Sequence, residues 1–322
     1  MGRFLLRRLG FAFLLVFVVS SASLILTRLA PGDITTDQAL ETSAAERTKR
    51  RAELGLDQPI SSQYISWLAG AVRFDFGRSL LYSRPVSNVL GERAVNTAFL
   101  AGAALLLATL IGLPLGIYTG SRPHGISRKL VRAISLVVFS LPPLIGSLGL
   151  ILLAARTGWF PVGGMTSATG SDVALSVWLA DLVRHLPVPA LALALPLAAT
   201  LERFQSQALA EAAGQRFVAA SRARGVSDIR ALLRHAWPVA LRPVLGLYGV
   251  MIGSLFSGSF VVEVVTAWPG LGRLMFDALI ARDLYLVAGC AAAGAAFLAV
   301  GTWLADALLA VADPRVRQEG RA

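Results

Sequence analysis

Residues 94–121 read AVNTAFLAGAALLLATLIGLPLGIYTGS, without a single Asp, Glu, Lys or Arg. An α-helix rises about 1.5 Å per residue, so this stretch is long enough to cross roughly 30 Å of hydrocarbon. Its apolar residues do not alternate with polar ones, which favours a helix over a strand of a membrane barrel. The stretch therefore predicts a transmembrane helix.

Five further stretches are uncharged and about long enough to span a membrane. They lie at residues 9–27, 133–155, 185–201, 243–262 and 284–305. The chain of 322 residues is 55% hydrophobic and only 15% charged, with a mean hydropathy of +0.65. This composition excludes an ordinary soluble globular domain. We predict an all-α polytopic membrane protein with six transmembrane helices.

The distribution of Lys and Arg predicts the orientation, because these residues accumulate in cytoplasmic loops. An inside N-terminus assigns residues 1–8, 122–132, 202–242 and 306–322 to the cytoplasm, with 17 basic and 6 acidic residues. The other segments carry 13 of each, so the whole net charge of +11 lies on the inner side. We expect both termini in the cytoplasm. Topology and anionic lipid headgroups account for the basic balance, so no nucleic-acid partner is expected.

The chain divides into three predicted parts. Residues 1–30 form the N-terminal tail and the first helix. Residues 31–93 form an external subdomain, in which the charged stretch 46–53 predicts a solvated helix. Residues 94–322 form a five-helix core, and its cytoplasmic loop 202–242 is the longest inner connection.

Glycine and proline interrupt several spans. The second span contains Gly112, Pro114 and Gly116, and the third contains Pro142 and Pro143. Proline kinks helices and glycine lets neighbouring helices approach closely. Both are also common in membrane helices, so the sequence leaves open whether they mark packing and movement or only composition.

Two absences bear on the energy source. No charged residue sits deep in the six spans, which argues against an ion-coupled secondary transporter. No phosphate-binding Gly-x-x-x-x-Gly-Lys-Ser/Thr loop occurs, so energy must come from another subunit.

Cys290 is the only cysteine, and His124, His185 and His235 fall in separate segments. We therefore expect no intrachain disulfide, no thiolate metal cluster and no histidine metal site in this chain.

The loop 202–242 predicts an exposed helix-turn-helix. Residues 207–224 are Ala-rich and predict one helix, which Gly225 ends. Ser227 and Asp228 suit the start of a second helix, running to about Ala236. In it, Val226, Ile229 and Leu233 share an apolar face, which fits either a partner's groove or a lipid surface.

The sequence of this loop resembles the EAA loop of binding-protein-dependent ABC importer permeases. The resemblance rests on Ala219-Ala220-Ser221-Arg222-Ala223-Arg224-Gly225, with Trp237-Pro238 at the fitting distance. In that family the loop docks on the ATPase subunit, so these seven residues and Pro238 are the candidate coupling residues. Ala219 replaces the family's usual Glu, and His235 replaces an aliphatic residue. The literal Glu211-Ala212-Ala213 match is rejected, because Phe217 stands where the family has its glycine.

A second resemblance narrows the branch. Residues 258–283, GSFVVEVVTAWPGLGRLMFDALIARD, look like the outer end of helix 5 in dipeptide and oligopeptide permeases. Residues 29–33, 54–59, 75–79 and 313–315 also resemble the first permease of that branch. Candidates for the external gate or substrate path are Glu263, Trp268, Pro269, Gly270, Gly272, Arg273, Asp277, Arg282 and Asp283. The charged ones are candidates for contact with a peptide's termini, but balanced external charges are more often solvated or mutually paired.

The resemblance implies a type I ABC importer permease of the bacterial inner membrane, importing peptides, a nickel complex or a related small solute. It implies a homologous second permease, two cytoplasmic ATPase subunits that bind ATP and Mg, an external substrate-binding protein, and membrane lipid as partners. By the same resemblance this chain is a transport subunit with no enzyme activity and no resident cofactor of its own. The alternatives are a channel or secondary carrier working without ATPases, and a purely structural or assembly membrane protein.

Overall fold

The computed structural model describes residues 2–30, 52, 57–73, 75–121, 125–167 and 174–312, with side chains described from residue 10 to residue 304 within these ranges. The predicted helix at 46–53, except residue 52, and the motif at 313–315 lie outside the described residues. So do parts of the motifs at 29–33 and 54–59.

The described residues fold into α-helices and one π-helical segment, with an isolated β-bridge between Arg78 and Pro85. The helices are α1 (Gly2–Leu29), α2 (Ile60–Ala71), α3 (Val86–Ser121), α4 (Ile126–Ser140), α5 (Pro143–Thr157), α6 (Leu175–His185), α7 (Pro187–Ala213), α8 (Arg216–Ala223), α9 (Asp228–Ala231), α10 (Trp237–Val265), α11 (Leu271–Ile280) and α12 (Leu284–Ala312); the π-helical segment is Leu232–Ala236. The all-α prediction is confirmed.

Four stretches are long and apolar enough to cross a membrane: Gly10–Leu29, Val86–Ser121, Asp228–Val265 and Leu284–Leu304. Two bent helix pairs, α4 with α5 and α6 with α7, bring the number to six if each pair is one span. The second span begins at Val86 rather than at residue 94, because charged residues such as Glu92 do not interrupt a helix that extends beyond the hydrocarbon.

A sharp bend of 108° separates α4 from α5 at Pro142 and Pro143, a point that the sequence left open. Leu141 ends α4 in an extended conformation, with φ −79° and ψ 121°. A residue before proline avoids the helical region, and proline is well tolerated at the start of the next helix. The α6–α7 pair bends by 45° where Pro187 begins α7.

Two compact units are present, each built from separate stretches of chain. The first comprises Met1–Leu5, Ala98–Trp268 and Val300–Ala322, and the second comprises Leu6–Thr97 and Pro269–Ala299. In the first unit α7 is central, because it packs against α10, α4, α5 and α6.

A glycine stripe on α3 lies directly against α7. A Cβ atom at Gly112 would be 2.6 Å from the Ala198 carbonyl oxygen, and one at Gly116 would be 2.6 Å from Gln205 Cβ. At Gly120 the nearest atom, the Ser206 carbonyl oxygen, would be 2.8 Å away. Real Cβ atoms essentially never sit under 3.0 Å from such neighbours. Gly112 and Gly116 therefore mark a close helix approach, one of the two interpretations that the sequence left open.

The second unit has its core between α3, α11 and α12. Val86 and Leu90 from the start of α3 pack with Leu274 of α11 and Leu286 of α12. Gly289 of α12 makes this packing close, since its Cβ would lie 2.7 Å from Val86 Cγ1. The core thus fixes the start of α12 against the start of α3.

Candidate functional site

The predicted coupling element, residues 216–238, follows α7 in the first unit and is called the coupling element below. It consists of α8, a turn at Gly225, α9 and the π-helical segment, and it ends in the first turn of α10. The expected single helix at 207–224 is wrong, since α7 ends at Ala213 and α8 begins at Arg216. Gly214 is a poor helix former and Gln215 is extended, with ψ 150°, which separates the two helices.

Gly225 ends α8 in a Schellman motif. Its φ is +84°, in the left-handed region that glycine tolerates best. The Gly225 N–H donates to the Arg222 carbonyl at 2.9 Å, and the Val226 N–H donates to the Ser221 carbonyl at 3.3 Å. Val226 then packs on the apolar core beneath the turn. The predicted helix stop at Gly225 is therefore confirmed.

The second coupling helix does not end near Ala236, as the sequence suggested, but continues without a break into α10. The Trp237 N–H donates to the Leu232 carbonyl, five residues back, so the backbone makes one wide π turn. Pro238, which has no N–H to donate, follows this turn directly. The turn lets the chain pass the proline and remain helical.

The base of the coupling element is apolar and buried. Val218 of α8 and Ala231, Leu232 and Ala236 around the π turn pack with Leu209 of α7. These five side chains are at most 8% exposed. The element is therefore fixed to the end of α7 rather than attached by a loose loop.

Its outer surface carries apolar and basic side chains together. Ile229 is 74% exposed and Leu233 is 44% exposed, whereas Leu232 between them is buried. Ala219, Ala220, Ala223, Arg224 and Pro238 are exposed as well. Arg222 Nε lies 2.9 Å from Asp228 Oδ1, an exposed ion pair that links α8 to α9 but adds little stability. Ser221 alone among the eight candidates is buried.

A buried polar cluster lies where α3 and α4 meet α7, and the sequence analysis missed it. The Thr119 hydroxyl donates to Glu202 Oε1 at 2.5 Å, and an Arg132 N–H donates to the Ser206 hydroxyl at 3.1 Å. Glu202, Gln205 and Ser206 are at most 1% exposed. These three residues lie on the face of α7 that packs against the glycine stripe. A helical projection of the sequence would have shown that they share one face.

Two candidates for the external gate or substrate path belong to the first unit, and both are buried. Glu263 and Trp268 are both 0% exposed, and the Trp268 ring stacks on Phe99 with centroids 6.5 Å apart. The preceding carbonyl of Thr266 accepts a hydrogen bond from the Gly164 N–H at 2.8 Å. These residues hold the end of α10 in place and do not present side chains to solvent.

The remaining candidates for the external gate or substrate path lie in the second unit, on helix α11 and in the short segments at its two ends. Residues 266–270 before α11 and residues 281–283 after it are non-helical, and α11 itself buries Leu271, Leu274 and Ala278 at helical spacing. The Pro269 carbonyl accepts from the Asn96 side chain at 2.8 Å, and the Leu271 N–H donates to the Thr97 hydroxyl at 2.8 Å. Gly270 is extended and caps α11. Gly272, Arg273, Asp277 and Arg282 are partly exposed.

The buried carboxylate of Asp283 accepts hydrogen bonds from two separate segments of the second unit. Its Oδ2 accepts hydrogen bonds from the Ser79 hydroxyl and the Leu80 N–H, both at 2.7 Å, and from the Leu81 N–H at 3.0 Å. Its Oδ1 accepts from the Leu286 N–H at 3.2 Å, at the start of α12. The side chain is 0% exposed. Asp283 therefore connects the loop before α3 to α12. In the motif at 75–79, Ser79 supplies the hydroxyl that donates to this carboxylate.

Comparison with known proteins agrees with this architecture. The family described as the binding-protein-dependent transport system inner membrane component matches residues 112–318, and its N-terminal companion matches residues 1–96. The chain is 30% identical to the oligopeptide transport system permease protein AppB of Bacillus subtilis, over 98% of this chain and 99% of the relative. It is 32% identical to the oligopeptide transport system permease protein OppB of Mycobacterium bovis and of Mycobacterium tuberculosis, with the same coverage. The chain belongs to the family of inner-membrane components of binding-protein-dependent transport systems.

Proposed function

We propose that this multi-pass inner-membrane protein is the transmembrane subunit of an ABC importer for di- or oligopeptides. The relatives named as oligopeptide permeases support the peptide substrate. The observation that carries the transport mechanism is the coupling element, a helical turn with an exposed outer surface and a buried apolar base.

The coupling element has the two properties that transmission of force requires. Ile229 and Leu233 offer an apolar contact surface, and the nearby arginines add charge that orients a partner. The base is fixed to α7, and the π turn joins α9 to α10 as one continuous helix. A displacement of the outer surface therefore moves the membrane helices instead of being lost in a flexible loop.

The partners follow from this division of work. Two cytoplasmic ATPase subunits bind ATP and Mg and dock on the coupling element, while an external binding protein delivers the peptide. A homologous second permease completes the pathway. The charge distribution supports cytoplasmic termini and a cytoplasmic coupling element, and this chain itself catalyses no covalent reaction.

Reconstitution of the complete transporter in proteoliposomes tests this function. We expect uptake of labelled peptide that requires ATP, the ATPase subunits and the binding protein together. Uptake by this chain without ATPases would instead indicate a channel or secondary carrier. Uptake of a nickel complex, with peptides neither bound nor transported, would show that the substrate is a nickel complex and not a peptide.

Two substitutions at Gly225 test the coupling element itself. A Cβ there meets no atom within 4 Å, so only the backbone conformation penalises a side chain. The left-handed region costs an ordinary residue about 1–2 kcal/mol, whereas Asn enters it more readily and a β-branched residue rarely does. We expect Gly225→Val to reduce stimulation of ATP hydrolysis by the loaded binding protein, and Gly225→Asn to retain most of it. Equal loss in both variants would refute a role for this turn conformation.

A further inference from the structure

A cleft lies between α4 and α7 of the first unit. Its volume is about 470 Å³, and it is lined by Arg132 and Leu136 of α4 and by Arg203, Gln207 and Ala210 of α7. On each helix these residues recur at a spacing of three or four, so each set occupies one face. The cleft is therefore built from two facing stripes, each with one arginine at its start.

The two guanidinium groups are positioned by contacts that cross from one helix to the other. Arg132 of α4 donates to the Ser206 hydroxyl of α7 at 3.1 Å. Arg203 of α7 lies over the Phe139 ring of α4, 5.1 Å from its centroid. Each guanidinium has five N–H donors, so most of them are still available for a ligand. Among the described residues, neither arginine has a carboxylate within salt-bridge distance.

The surface next to the arginines is apolar. Leu136 is 55% exposed, Phe139 is 48% exposed and Phe204 is 54% exposed. A ligand that satisfies both features has an anionic head for the guanidinium pair and a hydrocarbon tail for these side chains. Arginine binds phosphate oxygens with directed, charge-assisted hydrogen bonds.

We infer that this cleft binds the phosphate headgroup of an anionic phospholipid, with an acyl chain lying along Leu136 and Phe139. Basic pockets between transmembrane helices at the cytoplasmic surface commonly hold such headgroups. The charge distribution assigns Arg132 and Arg203 to that surface. The lipid bridges α4 to the last turns of α7, immediately before the coupling element.

Lipid binding to the purified, intact transporter tests the inference. Spin-labelled phosphatidylglycerol is titrated into wild type, Arg203→Gln, the Arg132→Gln/Arg203→Gln double variant and the control Arg242→Gln. Arg242 is an exposed arginine of α10 in the same predicted cytoplasmic loop, outside the cleft. We expect affinity to fall roughly fivefold for Arg203→Gln and about 25-fold for the double variant, from about 1 kcal/mol per arginine. Wild-type affinity in the double variant, or an equal loss in Arg242→Gln, would overturn the inference.

A second measurement distinguishes a lipid from a protein subunit that covers the cleft. Cys290, the only native cysteine of this chain, is buried, so Ala210→Cys gives a specific labelling site in the cleft. In the assembled transporter we expect a membrane-soluble maleimide to label this site, and phosphatidylglycerol but not phosphatidylcholine to protect it. A site that is unreactive in both lipids is covered by another subunit, and one that reacts equally in both holds no anionic lipid. Either result excludes the proposed site.

Discussion

The glycine stripe predicts that the smallest possible substitution at Gly116 destabilises the protein, although alanine is the best helix former. In Gly116→Ala, the new Cβ would lie 2.6 Å from Gln205 Cβ and 2.9 Å from the Glu202 carbonyl oxygen. Both neighbours are held by the backbone of α7, so a rotamer change cannot relieve either contact. Helix α3 must instead move away from α7.

The magnitude follows from two opposing terms. Overpacking a close-packed interface costs about 1–3 kcal/mol, and replacing glycine by alanine inside a helix returns up to about 1 kcal/mol. Two rigid contacts below 3.0 Å place Gly116→Ala in the upper part of the first range. We expect a net loss of about 1–2 kcal/mol in the free energy of unfolding.

The matched control is Gly102→Ala on the same helix, where a Cβ meets no atom within 4 Å. In Gly102→Ala only the higher helix propensity of alanine acts, so the free energy of unfolding should be unchanged or slightly raised. The free energies of unfolding can be compared by titration with sodium dodecyl sulfate, followed by circular dichroism. If Gly116→Ala is as stable as Gly102→Ala, the close α3–α7 contact is not present and the packing argument fails.

Three further substitutions address other parts of the molecule. Asp283→Asn should lower the free energy of unfolding by about 2–3 kcal/mol, because the carboxylate that accepts several hydrogen bonds, including that of the Leu80 N–H, is lost. Unchanged stability in the same titration, together with weaker peptide transport, would indicate a substrate role instead. Thr119→Val should cost about 1–3 kcal/mol by removing the hydroxyl that donates to buried Glu202, and a neutral effect would contradict that contact. Ile229→Asp should leave stability within about 0.5 kcal/mol, since the side chain is exposed, but weaken ATPase binding about five- to tenfold. Normal binding measured by co-purification of the ATPase would exclude Ile229 from the docking surface.

The sequence predicts the local features whose cause is local. Long uncharged runs predict the spans, and the Pro142–Pro143 pair lies at the bend between α4 and α5. Gly225 predicts its own turn, because few other residues adopt its backbone conformation. In each case the few neighbouring residues suffice to determine the conformation.

Features that depend on distant partners were not predictable in this way. Asp283 and Glu263 look like surface charges in the sequence, yet both are 0% exposed. For Asp283 the partners, Ser79 to Leu81, are about 200 residues away. A single sequence without the fold does not reveal such pairings.

The uninterrupted helix from Asp228 to Val265 has a mechanical consequence. It is 38 residues long, which at about 1.5 Å per residue gives a rod of roughly 57 Å. If such a rod tilts by about 10° around one end, its other end travels roughly 10 Å, by the same geometry. Ile229 lies near one end and Glu263 near the other, so in the proposed transport mechanism this helix would act as a lever that converts a small rotation at the coupling element into a movement of that size at the far end.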